Sequence, residues 1–322
     1  MNPLTELLRD EIRRSGPISF REYMELALYH PEYGYYRRAH DPFGKSGDFF
    51  TASQLQPVFG ILITACIRAF FREMNEPADF TVVELGAGRG EMAPALSEWT
   101  YVPVEAGAGA MPERFRGVVF SNEFFDALPV SAGAIVEGKP REMRVGWRND
   151  RFVWIPGGEL SEEAESYLRR YFPSLEEGHT FEVNLDALRW LERISQSLET
   201  GYVFTIDYGY TRRETVRFPA GTLMSYRRHT AREDVLGEPG EKDITAHVSF
   251  TALKERGAEL GLRTEVFESL AQTLLKAGEA DQFAAALAAA SPQEETRLRL
   301  QLKTLLFGMG ETFRTLIQRT SK

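Results

Sequence analysis

From Thr81 onward the chain consists of short, largely β-branched runs separated by helix-friendly stretches, and this alternation restricts its possible folds more than any other feature. The runs are "TVVEL" (81–85), "YVPVE" (101–105), "GVVFSNE" (117–123) and "GYVFTIDYG" (201–209), with "RTEVFES" (263–269) and "ETFRTLIQR" (311–319) as later strands. Runs that stay apolar instead of alternating are buried on both faces. With helical segments between them they predict βαβ units and a parallel sheet, an α/β fold.

The first run leads into Gly86, Gly88 and Gly90, followed by helix-friendly Glu91, Met92, Ala93 and Ala95. A strand that turns within a few residues into a helix needs glycine for positive φ, and for close approach of a ligand to the backbone of Gly86, Ala87, Gly88 and Gly90. A tight turn without a ligand is the plain alternative. Glu84 stands just before the turn, where a buried parallel strand ordinarily carries an apolar residue. Glu105 ends the next run, where a carboxylate accepts from ribose hydroxyls. A dinucleotide loop has its third glycine one position later, and Glu91 would repel a pyrophosphate. The pattern favours a cationic ligand with an amino-acid tail, S-adenosylmethionine.

Other acidic and polar groups fall at run ends. Asn122, Glu123 and Asp126 close the third run, and Asp207 closes the fourth, at the edge where open parallel sheets build their crevices. Helix capping and loop solvation are their plain alternatives. Carboxylates there can bind a guanidinium in bidentate fashion and orient its nitrogen for in-line methyl transfer. Asp243, Thr245 and His247 alternate along an extended piece and can point one way; a lone histidine is otherwise a core or capping residue. The loop "SGDFFTAS" (46–53) offers Gly47, Asp48, Phe49 and Thr51 as a cover for the cofactor.

The remaining texture is helical before residue 80 and mixed after 133. Leu4, Leu7, Leu8 and Ile12 share a helix face, Ser19 caps a second helix that stops before Pro31, and a third apolar helix runs from about 57 to 71. "AIVEGKPREMRVGWRNDRFVWIPGG" (134–158) reads as an antiparallel meander with two turns, followed by helices near 160–171 and 184–199, and 280–307 reads as a helical pair broken at Ser291-Pro292. The organisation expected is a helical lid segment at 1–80, a cofactor-binding domain at 81–132 and 201–322, and an inserted substrate-side subdomain at 133–200.

The net charge of -9 argues against a nucleic-acid partner and suits a basic or protein substrate. Cys66, the single cysteine, reads as core, which suits a reducing, cytoplasmic setting. No run approaches a membrane span, the opening residues do not resemble a signal peptide, and the five histidines show no metal-ligand spacing.

Taken in order, "SGDFFTAS", "FG" (59–60), "ELGAGRG" (84–90), "SNEFFDALPV" (121–130), "IDYG" (206–209), "GTL" (221–223) and "PGEKDITAHVSF" (239–250) make the chain resemble the MidA family, the mitochondrial complex I assembly-factor methyltransferases and their bacterial relatives. The resemblance implies a Rossmann-like class I methyltransferase fold using S-adenosylmethionine, with symmetric dimethylation of a protein arginine in the mitochondrial member. It also implies that Gly86, Gly88 and Gly90 line the cofactor while Asn122, Glu123 and Asp126 face the reacting end. Two departures stand out: the stretch from Glu84 to Glu123 is shorter than in members, which predicts a sheet lacking one strand-helix unit, and "TASQL" replaces the family's "TSPE". The expectation is a cytoplasmic protein-arginine methyltransferase with Glu123, Asp126, Asp207 and His247 as catalytic candidates, compatible with a homodimer. A non-catalytic assembly factor on the same fold and a small-molecule methyltransferase are the alternatives.

Overall fold

The computed structural model describes residues 2–37, 51–105, 109–227 and 230–321. The chain divides into two compact units, one of Thr51–Phe124, Trp190–Gly209 and Leu253–Lys322, the other of Met1–Phe50, Phe125–Arg189 and Tyr210–Ala252. Residues 1–80 therefore contribute to both.

The first unit is built on the predicted runs. They form strands β1 (Phe80–Leu85), β2 (Thr100–Val104), β3 (Phe115–Asn122), β4 (Leu198–Tyr210), β5 (Leu262–Ser269) and β6 (Phe313–Thr320). Their order in the sheet is β5-β6-β4-β3-β1-β2. β1 is parallel to β2 and β3, and β3 to β4; β6 runs antiparallel to both β4 and β5. Every residue of β1 is buried, as an inner parallel strand requires, whereas β2 is largely exposed or half-buried. Among the described residues no strand pairs with the outer side of β2, in line with the short stretch between Glu84 and Glu123.

The helix Val58–Glu73 covers this sheet because Phe59, Ile63, Ile67 and Phe70 recur at helical spacing and meet Val82, Val118, Phe120 and Phe204 in one core. Phe70 stacks on Tyr202 at 4.4 Å between ring centroids. Cys66 lies on this helix, and burial pushes its thiol up to about 12, so it is an inert thiol.

Two expected helices take another form. After Gly90 the chain makes a series of turns up to Trp99 instead of a helix. Pro94 has no N–H to donate and disfavours α geometry at Ala93, so single turns close instead, Ala93 N on Gly90 O and Leu96 N on Met92 O. Met92 and Leu96 still reach the core. Of the expected helical pair only the second member forms, Pro292–Lys303, because Gln282 and Phe283 adopt left-handed φ of 52° and 62° that break the first.

The second unit carries the helices Pro3–Ser15 and Phe20–Tyr29. Ser19 caps the latter by accepting from Glu22 N, as expected, and Leu4, Leu8 and Ile12 are buried while Leu7 is exposed. The meander appears as strands Ser131–Val136, Lys139–Arg148 and Arg151–Pro156. Its two turns, Glu137-Gly138 and Asn149-Asp150, have positive φ at both central residues, the geometry that matches strand twist.

Candidate active site

The strand ends of the sheet unit bring most of the sequence-predicted residues to one rim. Glu84 lies on β1, Asn122 ends β3 with Glu123 next in the chain, and Asp207 lies near the end of β4, where the pairing Asn122–Ile206 fixes the register. Gly86, Gly88 and Gly90 follow β1 with φ of 69°, 56° and 77°, so all three use the freedom that called for glycine. A Cβ on Gly86 would stand 3.1 Å from the Phe124 ring.

The amides of this loop are not the open cradle expected. Gly86 N donates to Val104 O at 2.9 Å, Gly90 N to Ala87 O at 2.8 Å, and Gly88 N to the Glu105 carboxylate. A backbone N–H must find a partner, and Glu105 supplies one by folding onto the loop. Glu105 thus ties the end of β2 to the turn, the position expected of a ribose-binding carboxylate. Glu91 is held by Arg89, whose Nε donates to it at 2.8 Å.

Glu84 is buried, and Tyr101 on β2 donates its hydroxyl to it at 2.5 Å. Burial raises its carboxyl to about 8; the Tyr101 bond opposes this, and the Glu91 and Glu105 carboxylates add to it. A buried carboxyl kept protonated at neutral pH is a group waiting for a cation.

At the end of β3 the chain makes a corner. Glu123 takes a left-handed φ of 53°, unusual for a residue with a side chain, and its N–H donates to Ile206 O at 2.9 Å. Its Oε1 accepts from Asn122 Nδ2 at 2.9 Å and from Ala52 N at 3.3 Å. The segment of Thr51, whose hydroxyl meets Ser53 Oγ at 2.6 Å, is thereby held beside Glu123. Asn122 is 8% exposed, and its Oδ1 has no hydrogen-bond partner among the described residues. Asp207 is fully buried, and its Oδ1 accepts from Tyr208 N at 2.9 Å. Gly47, Asp48 and Phe49 lie outside the described residues.

Asp126 and His247 belong to the second unit. There the expected motifs meet: Ala246 N donates to Asp126 O at 3.0 Å, and Tyr36 donates to Asp243 Oδ1 at 2.8 Å. Asp126 and Asp243 are both buried. Burial raises the Tyr36 hydroxyl far above its ordinary range, with Asp243 and, more weakly, Asp126 adding to the effect. His247 is pushed down to about 4 by burial and sits edge-on to Phe218 at 5.2 Å. It is neutral at pH 7 and a weak base. Tyr101, Tyr36 and Ala52 were missed in the sequence; Tyr101 reaches Glu84 only through the register of two parallel strands, which no local pattern reveals.

A glycine turn that a side chain would fill and a buried carboxyl on the strand that leads into it fit a small cationic cofactor. The matching family model, of S-adenosyl-L-methionine-dependent methyltransferases, covers residues 95–268, and the chain belongs to that family. Its cofactor is S-adenosylmethionine, and its fold is of the class I methyltransferase type. The chain is similar to the mitochondrial protein arginine methyltransferase NDUFAF7 homolog of Drosophila melanogaster, 29% identical over an aligned length of 313, with 78% of this chain and 69% of that protein covered. Against protein arginine methyltransferase NDUFAF7 of Homo sapiens it is 28% identical over an aligned length of 326, with 79% of this chain and 69% of the relative covered. A crystal structure of a Burkholderia thailandensis protein bound to S-adenosyl-homocysteine superposes with a TM-score of 0.89 at 29% identity, over 99% of this chain and 92% of that one.

Proposed function

We propose that this methyltransferase transfers its methyl group to an arginine nitrogen of a protein. The observation that carries the proposal is the corner at Asn122 and Glu123, where a carboxylate held in a strained backbone conformation stands beside an amide oxygen with no hydrogen-bond partner among the described residues. A guanidinium presents five N–H donors in a planar fork, and that complement suits such a rim better than a hydroxyl or carbon acceptor does. Asp126 and Asp243, buried around Tyr36 in the second unit, have the same acceptor character. The names of the relatives from Drosophila and Homo sapiens, and the net charge of -9, point the same way.

Glu84 is read as the partner of the cofactor's ammonium and Glu105 as that of its ribose hydroxyls; Gly86, Ala87, Gly88 and Gly90 give the close approach, and Thr51 and Asn122 flank it. When bound, the cofactor supplies an electrophilic methyl on a sulfonium. The chain's own part is position and polarisation: Glu123 orients the nitrogen, with Asp207 as a further candidate of the same unit, while Asp126 and His247, candidates from the sequence, lie in the second unit. The reading includes a cytoplasmic setting, supported by the single, half-buried cysteine, which leaves no intrachain disulfide to form.

Labelled methyl from S-adenosylmethionine, incubated with the protein and a cell extract, is expected to appear as methylarginine after hydrolysis. Label confined to small molecules or to other residues contradicts the proposal. Glu123→Gln is expected to lower the transfer rate by about 10²-fold, the cost of a misplaced nucleophile, while leaving affinity for S-adenosylhomocysteine within about twofold; an unchanged rate removes Glu123 from the acceptor side.

A further inference from the structure

The second unit holds a groove of about 900 Å³, at the upper end of the roughly 300–1,000 Å³ typical of small-molecule pockets. It is wide enough for several side chains rather than one. One wall is the hairpin Lys139–Arg148 and Arg151–Pro156 with its tip at Asp150; the other is the segment around 233–241. Trp147 and Trp154 line it, and Trp154 is 37% exposed, an unusual placement for so large an apolar ring. Its inner face packs on Phe20 at 4.9 Å, so the ring is held rigid while its outer face stays open.

The lining carries five carboxylates against two arginines. Arg227 is spent within the groove on Glu238, at 2.7 Å. Asp234, exposed, accepts from Leu236 N and Gly237 N at 3.2 and 3.0 Å in a local turn that shapes the wall, and Lys242 Nζ lies 3.9 Å from it. Asp150 and Glu233 stand exposed on opposite walls. A wall carrying Glu233, Asp234, Glu238 and Glu241, facing a hairpin wall that carries both indole rings with Asp150 and Arg151 at its tip, matches one chemistry: guanidinium and ammonium groups, which pair with carboxylates and stack on aromatic faces.

We infer that this groove docks an arginine-rich segment of the protein substrate, separately from the residue that is methylated. The inference rests on the protein-arginine reading above and deepens it by naming what the substrate carries beside its acceptor. Recognition at a rim of this kind is electrostatic and rate-enhancing, and it weakens with salt.

The test uses the full chain and a fluorescently labelled arginine–glycine repeat peptide, with the same peptide carrying citrulline for arginine as the uncharged counterpart. Anisotropy is expected to show the arginine peptide binding at least about tenfold more tightly than the citrulline one, and losing affinity as salt rises. The double variant Asp150→Asn, Glu233→Gln is expected to weaken binding about tenfold. Asparagine tolerates the left-handed φ of 55° at position 150, so the hairpin is preserved. Trp154→Leu, keeping an apolar contact to Phe20, should weaken it by a similar factor. Equal affinity for the two peptides, or for wild type and double variant, overturns the proposal. Methylarginine formed at an unchanged rate by the double variant with an arginine-rich substrate sinks the groove while leaving methyl transfer standing; no methylarginine with peptide binding intact sinks the methyl-transfer reading instead.

Discussion

Burial holds two residues in their neutral forms, which shifts the acid Glu84 up and the base His247 down. Glu84 has its carboxyl raised from 4.5 to about 8, so between those values the folded chain holds a proton there that the unfolded chain has lost. Stability therefore falls as pH rises through that window, by about 1 kcal/mol per pH unit. Glu84→Gln should flatten that decline, measured as the urea midpoint at several pH values; an unchanged slope contradicts the assignment. His247 behaves in the reverse sense. Its pKa drops from 6.5 to about 4, so the unfolded chain takes up the extra proton, and stability falls as pH is lowered through that range. His247→Gln should lessen the acid sensitivity. If His247 acts in methyl transfer it acts neutral, and a rate profile that turns near 6.5 because of this residue would contradict its environment. Glu84 was legible in the sequence as an acid where an apolar residue belongs. Its protonation was not, because that depends on Tyr101 from a neighbouring strand and on the depth of the site.

At the scale of the element, the glycine loop separates backbone strain from steric contact. Gly90 has φ of 77° with only Ala93 Cβ near an added methyl, at 3.9 Å, so Gly90→Ala is expected to cost about 1–2 kcal/mol from the backbone alone. Gly86→Ala should cost more. Its added Cβ meets the Phe124 ring, and that ring is braced edge-on by Trp190 at 5.1 Å. Thermal melts rank the two, and equal losses would show that the Phe124 contact does not matter. As a contrast remote from the loop, Ser269 caps the helix Leu270–Glu279 in a reciprocal box with Gln272. Ser269→Ala should lose about 1 kcal/mol of stability without changing cofactor affinity. The strands and caps were readable because period and punctuation are local signals. The helix expected after Gly90 does not form for a local reason too: Pro94 lacks the N–H that a helix needs there, which outweighs the helix propensity of its neighbours.

At the scale of the molecule, the parallel core of the sheet followed from the alternation of apolar runs, while the strand order that puts β2 outermost was not legible in the sequence. The unit boundary at Phe124 and Phe125 was not legible either, since "SNEFFDALPV" reads as one continuous motif and yet its Glu123 and Asp126 fall in different compact units. Composition does not shift there, so nothing in the residues marks the division. What unites the account is that the turn after β1, with Glu84 behind it and Glu105 folded on it, holds an adenosyl amino acid. The most direct measurement is calorimetric titration of S-adenosylhomocysteine into the protein at pH 7 in buffers of different ionisation heat. The account predicts one site per chain and release of a proton, as the ligand's ammonium draws Glu84 into its charged form. Heat independent of buffer would remove Glu84 from the site, and no binding at all would contradict the account itself.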